Sequence, residues 1–207
     1  MPICARDGLG SDPAAVRVVA TNTFRVASNA KEFIAQAERT LGFPIDIISG
    51  HEEGRLTFFG VAHELPRSPE PRLVIDIGGG STEFIIGRGL EAERLESLTI
   101  GCVGVTQRFF GDGRLTAAAF DAAETLARVE IEAIAGAFGA GAWREAYASS
   151  GTAVALADIL EQNAFSGGGI TPAGLARLRR RMLDAGHVSR LKLNALKGER
   201  APVLAGG

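Results

Sequence analysis

Cysteine is nearly missing. Cys4 and Cys102 are the only two in 207 residues, and they stand far apart with no CxxC or Cys/His spacing around either. A disulfide framework and a zinc site of the usual spacing are excluded as organising features, and a reducing, cytoplasmic setting fits. An excess of one charge is missing too: 22 basic against 24 acidic side chains leave a formal net charge of −2. No global field draws the chain to nucleic acid or to an anionic membrane, so any anion it binds is held locally. No apolar run nears the roughly 20 residues that span a bilayer. Met1 to Gly10 also lack the basic and apolar regions of a signal peptide, so the chain reads as soluble and unsecreted. His51, His63 and His187 have no metal-like spacing, and none is given a role.

Glycine is abundant. The 27 glycines are about twice the ~7% share typical of proteins, without the strict period of collagen. They gather at Gly78 to Gly80 and Gly167 to Gly169, with others at Gly101, Gly104, Gly111 and Gly113. With 46% hydrophobic and 22% charged residues, the remainder has the make-up of a globular chain of one large or two small domains.

An apolar run from Val16 to Ala20 predicts a strand, followed through Thr21-Asn22-Thr23-Phe24-Arg25 by a helix. Asn29 with Glu32 resembles a capping box, and Gly42 sits where a C-terminal cap belongs. A strand over Pro44 to Ile48 and a helix over His51 to Val61 come next, with Leu56, Phe59 and Gly60 expected to face the core. The stretch from Arg67 to Arg72, rich in proline and charge, reads as a connection between a partial N-terminal lobe, 1–66, and a second lobe, 67–207. Strands at Leu73 to Ile77, Thr82 to Ile86 and Leu95 to Ile100 form a β-meander. A helix from Thr116 to Phe138, a strand near Ala146 to Ser149 and a helix over Thr152 to Gln162 follow. Thr171-Pro172 then starts another helix, Thr as N-cap and Pro in the first turn. This alternation predicts a two-lobed α/β protein with mixed sheets and a cleft between its lobes.

The chemistry concentrates in Asp76-Ile77-Gly78-Gly79-Gly80-Ser81-Thr82-Glu83. Consecutive glycines let backbone N–H groups converge on an anion, hydroxyls add donors, and carboxylates hold the Mg²⁺ that neutralises phosphate oxygens. The segment is neither a P-loop nor a dinucleotide fingerprint. The plainer reading is a tight hairpin whose glycines supply positive φ. In Ser49-Gly50-His51-Glu52-Glu53-Gly54-Arg55, a carboxylate at a loop-to-helix junction is a candidate general base, or both glutamates simply complement the helix dipole. Arg25 suits a bidentate grip on phosphate, and Ser149-Ser150-Gly151-Thr152 places small polar residues at a helix start. Arg177, Arg179, Arg180 and Arg181 form a solvated helix face or a track for a polyanion.

Taken in order, Thr21 to Arg25 with Asn29, Ile47 to Leu56, and Val74 to Glu83 resemble the exopolyphosphatase/guanosine-pentaphosphate phosphatase family. The likeness continues through Gly101-Cys102-Val103, Ser149 to Thr152, Ile170-Thr171-Pro172 and Glu199-Arg200-Ala201. The resemblance implies the sugar-kinase/actin-like, ribonuclease H-like fold with an incomplete first lobe, and release of the terminal phosphate of polyphosphate or of guanosine pentaphosphate, assisted by Mg²⁺. It implies Glu53 as catalytic base, Asp76 and Glu83 as metal and catalytic carboxylates, and Arg25, Gly78, Gly79, Gly80, Ser81, Thr82, Ser150 and Gly151 as phosphate-binding residues. A homodimer is what the family suggests. Such proteins also carry a first phosphate loop of Asp-x-Gly-Ser-Asn-Ser type and a longer C-terminal part, neither matched here, so the chain reads as a fragment. A sugar-kinase-like phosphotransferase and a non-catalytic polyphosphate or nucleotide binder are the alternatives.

Overall fold

The structure is a computed structural model that describes residues 16–207. Cys4 and the stretch judged for a signal peptide lie outside the described residues. Strand β1 (Val18–Ala20) leads into a five-residue helix, α1 (Asn22–Val26), then α2 (Ala30–Leu41) and β2 (Ile45–Ile47). β1 and β2 pair in parallel. Gly42 ends α2 at φ 77° in the left-handed region, as its position predicts. Asn29 makes no side-chain cap bond: its backbone, at φ −100° and ψ 14°, is not the extended N-cap geometry from which a side chain reaches the first turn.

Helix α3 (Gly50–Glu64) is capped by Ser49, whose hydroxyl accepts from the Glu52 N–H. A proline-bearing connection joins it to β3 (Arg72–Ile77), β4 (Thr82–Arg88) and β5 (Glu91–Leu98). The meander is as predicted, with its third strand displaced towards the N-terminus. β6 (Glu145–Ser149) adds to β3 in parallel, making the mixed sheet β5-β4-β3-β6.

Alternation along β3 and β4 divides the core between two faces. On one, Phe58 and Ala62 of α3 pack with Val74 and Ile85. On the other, Leu73, Phe84 and Ile86 meet Ile134 and Phe138. The buried stripe of α3 is Gly54, Phe58 and Ala62, whereas Phe59 and Gly60 are exposed, contrary to the predicted facing. The roll of the helix follows from Gly54, where an added Cβ would stand 2.9 Å from Leu95 and 3.3 Å from Glu83. Only glycine lets the helix lie that close, and residues four and eight positions on share its face.

The helix predicted from Thr116 to Phe138 divides into α5 (Ala117–Glu132) and α6 (Ala135–Phe138). Ile134 donates to the Ile131 carbonyl, a tighter turn that swings Ile134 and Phe138 under the sheet. Helices α4 (Cys102–Phe109), α7 (Ser150–Gln162) and α8 (Pro172–Ala185) form the third cluster with α5, and α8 carries the Thr171 cap and first-turn proline expected of it. Two 3₁₀ turns, Val188–Arg190 and Ala201–Gly206, complete the chain. Among the described residues, no helix is long and apolar enough to cross a membrane.

Candidate active site

Asp76 sits near the C-terminal end of β3, where two neighbours flank it in register: Glu83 of antiparallel β4 and Ser149 of parallel β6. Directly opposite residues of an antiparallel pair project to the same face, so both carboxylates point towards α3. Thr57 of α3 donates to Asp76 Oδ2 at 3.1 Å, and Ser97 of β5 donates to Glu83 Oε1 at 2.8 Å. Gly50 of α3 abuts the Ser97 side chain, with no room for a Cβ.

Both carboxyls are displaced from their ordinary acidity. Burial pushes Asp76 up, with the Thr57 hydroxyl opposing. Burial also pushes Glu83 up, the Ser97 and Ser81 hydroxyls offset part of this, and the charges of Glu53 and Asp76 push the same way as burial. Glu53 is thus electrostatically in touch with Glu83. The first turn of α3 separates its two glutamates. Glu53 Oε2 accepts from Arg25 of α1 at 3.1 Å, with both side chains about three-quarters buried. Glu52 faces outward to Arg55 and Arg17, and their hydrogen bonds, Arg55 first, lower it to about 2. A carboxylate so held stays ionised and accepts protons poorly, which leaves Glu53 as the candidate base.

The glycine loop closes with Gly78 N–H donating to the Ser81 carbonyl at 2.9 Å. The loop is a tight hairpin between β3 and β4, but none of its three glycines has the positive φ that the plainer reading gave as their purpose. Glycine is required instead for close approach: a Cβ at Gly78 would stand 2.9 Å from the Ser81 carbonyl oxygen. The Gly78 carbonyl accepts from Cys102 N–H, and the Gly79 carbonyl accepts from Val103 and Gly104 N–H, at 2.9 to 3.2 Å. Across each trans peptide the next N–H points the opposite way, so Gly79 and Gly80 aim theirs away from α4. Among the described residues neither N–H meets a protein acceptor.

Thr82 is not brought to this cluster by its side chain, since its hydroxyl donates to the Ile100 carbonyl at 2.6 Å. It lines instead an apolar cavity of about 630 Å³ with Ile75, Phe84 and Met182, on the sheet face away from the carboxylates. Ser150 is strained at φ 88°, and its hydroxyl accepts from Thr152 and Ala153 N–H to cap α7. Gly151 lies under the Arg200 guanidinium, which a side chain there would displace. The arginine run on α8 is divided: Arg179 pairs with Asp121 and Glu124, while Arg177 donates to the Ala164 and Phe165 carbonyls.

Thr57, Ser97 and Asn22, whose amide lies against Gly80, were not singled out from sequence. Each acts across elements, and neither spacing nor periodicity marks it.

A sequence model of the Ppx/GppA phosphatase family matches residues 5–207. An exopolyphosphatase-like protein of known structure is 28% identical, with a TM-score of 0.80, over 92% of this chain and 64% of that one. An Aquifex aeolicus member of the Ppx/GppA family is 26% identical, with a TM-score of 0.67, over 93% of this chain and 63% of its own. An exopolyphosphatase from Cytophaga hutchinsonii shares the fold at 24% identity and a TM-score of 0.77, over 92% and 64%. The chain spans just under two thirds of the length of these relatives, and its mixed α/β architecture is the one they share. A match to that sequence model over nearly the whole chain, on the fold of that family's solved structures, is decisive: the chain belongs to the Ppx/GppA phosphatase family.

Proposed function

We propose that this chain releases the terminal orthophosphate of inorganic polyphosphate by attack of water, with the matching phosphoanhydride of guanosine pentaphosphate as the alternative substrate. One observation carries the reading. Glu53, held by Arg25, stands within the electrostatic reach of Glu83, which is itself paired with Asp76 beside the glycine loop. An arginine for phosphate oxygens, a carboxylate to take a proton from water and free backbone N–H groups therefore converge from three separate parts of the chain.

The residues present fit Mg²⁺. Asp76 and Glu83 are acceptor-only when ionised, both are destabilised by burial, and neither has a cationic partner among the described residues. No group of three or more His, Cys, Asp or Glu surrounds a metal position there. The protein would supply these two carboxylates at most, in keeping with a cation that keeps waters and takes substrate phosphates as its other ligands. When bound, Mg²⁺ would neutralise charge on phosphate oxygens. Glu53 accepts the proton of the attacking water, Arg25 orients the terminal phosphoryl group, and the loop N–H groups receive its negative charge.

Phosphate release from polyphosphate and from guanosine pentaphosphate, with Mg²⁺, tests the reading. Release that Glu53→Gln abolishes supports it. Tight binding of either compound with turnover in neither protein would make the chain a binder instead.

A further inference from the structure

We infer that Asn22 is a further phosphate-contacting residue, closing the glycine loop's anion cradle from the first lobe; this rests on the phosphohydrolase reading above. The observation is one of contact. A Cβ built on Gly80 would fall onto the Asn22 side-chain amide, with Nδ2 the nearest atom. The amide of a residue in α1 therefore lies directly against the backbone of the loop that follows β3, some sixty positions along the chain.

Asn22 and Arg25 lie three positions apart on α1, and that spacing places them on one helical face. That face hands Arg25 to Glu53 and Asn22 to Gly80. Among the described residues, the Asn22 amide meets no acceptor, and the N–H groups of Gly79 and Gly80 meet none either. A half-buried carboxamide against Gly80, beside a loop whose two N–H groups have no protein acceptor, offers donors to an anion with several oxygens. The glycine at position 80 is explained by the same contact, because any larger residue would drive the amide off the loop.

The amide contributes a donor without charge. It orients a phosphoryl oxygen while the formal positive charge facing the anionic substrate comes from Arg25 and any cation held at Asp76 and Glu83. Asn22 is thus a binding residue of the terminal phosphoryl group, and its effect falls on KM more than on kcat.

Two substitutions separate donation from packing. Asn22→Asp keeps the shape and turns the donor into an anion, whereas Asn22→Ala removes both. If the amide donates to phosphate, Ala raises KM for polyphosphate and the Kd for inorganic tripolyphosphate about tenfold, and Asp raises both by about a hundredfold or more. An amide that only packs against the loop, with the phosphate bound elsewhere, would reverse that order, leaving Asp near wild type and Ala the more damaged; that result overturns the inference. Asn22→Ser, which keeps a small donor and stays within severalfold of wild type, serves if either variant fails to melt cooperatively. Glu53→Gln is assayed in parallel. Loss of turnover there with Asn22→Asp binding tripolyphosphate normally would remove this inference alone. Full turnover in Glu53→Gln would remove the hydrolase reading beneath it, and so would a wild type that binds no tripolyphosphate.

Discussion

Arg25 Nη1 donates to two acceptors at once, the Ile48 carbonyl at 2.7 Å and Glu53 Oε2 at 3.1 Å. The carbonyl fixes the guanidinium at the end of β2, and the carboxylate fixes it against α3. An incoming phosphoryl oxygen would compete with Glu53 for this donor, so binding substrate and freeing the base would be one event.

A lysine at position 25 retains charge but loses the guanidinium's other nitrogens, the donors left for phosphate while Nη1 serves Ile48 and Glu53. Arg25→Lys is expected to raise KM about tenfold, and Arg25→Ala more, because Glu53 then keeps a partly buried charge with no partner. Steady-state phosphate release with both substrates measures the effect.

Removing the candidate base acts on kcat. Glu53→Gln keeps the volume and the acceptor oxygen for Arg25 while abolishing proton uptake, with an expected fall of about 10²- to 10⁴-fold in kcat and little change in KM. Single-turnover assays separate this from slow product release.

Asp76 and Glu83 cost the fold stability in proportion to their ionisation, since burial raises both above their ordinary values. For an acid whose folded value lies above its unfolded one, no penalty exists below the unfolded value, and the penalty grows as pH rises through the folded one. Asp76→Asn and Glu83→Gln are therefore expected to raise the melting temperature at neutral pH, each by about 2–4 °C for a gain of about 1 kcal/mol in a chain of this size. The gain vanishes below the usual carboxylate range. Melting curves from pH 3 to pH 8 should show the variants diverging upward from wild type as pH increases, and parallel curves would refute the assignment.

Mg²⁺ should relieve the same cost of burying these charges. Millimolar Mg²⁺ is expected to raise the melting temperature of the wild type and leave the Asp76→Asn/Glu83→Gln double variant unmoved. Equal shifts in the two proteins would place the cation elsewhere.

Helix α3 depends on two glycines for its seat. Gly54→Ala would press against Leu95 and Glu83, and Gly50→Ala against Ser97. Each is expected to destabilise by about 1–3 kcal/mol despite the better helix propensity of alanine. Chemical denaturation measures this directly, and a neutral result would mean that the sheet gives way without cost.

Much of the architecture was legible because it rests on local rules. The meander through Asp76 and Glu83 follows from short apolar runs around a glycine turn, α8 from Thr171-Pro172, and the end of α2 from Gly42. The facing of α3 was misread because Phe59 is the conspicuous apolar residue, whereas the helix is seated by Gly54, whose role is to be small. At the site, Glu53, Asp76 and Glu83 were legible as residue types in a pattern. Thr57 and Ser97 were not, because the carboxylates they hold lie on other elements, and only folding reveals the pairing. Thr82 shows the opposite limit. Its place in the loop suggested phosphate, yet strand alternation carries its side chain to the far face.

The capping of α4 by the glycine loop has a consequence for charge preference. Rotating the peptide between Gly78 and Gly79, or the one after it, would strip N-terminal N–H groups of α4 of their acceptors. Crankshaft motion of these planes is therefore opposed by a whole helix. Flexible glycine runs elsewhere can turn oxygens or nitrogens outward and so greet either sign of ion; this one is latched from behind, with its polarity decided before any solute arrives.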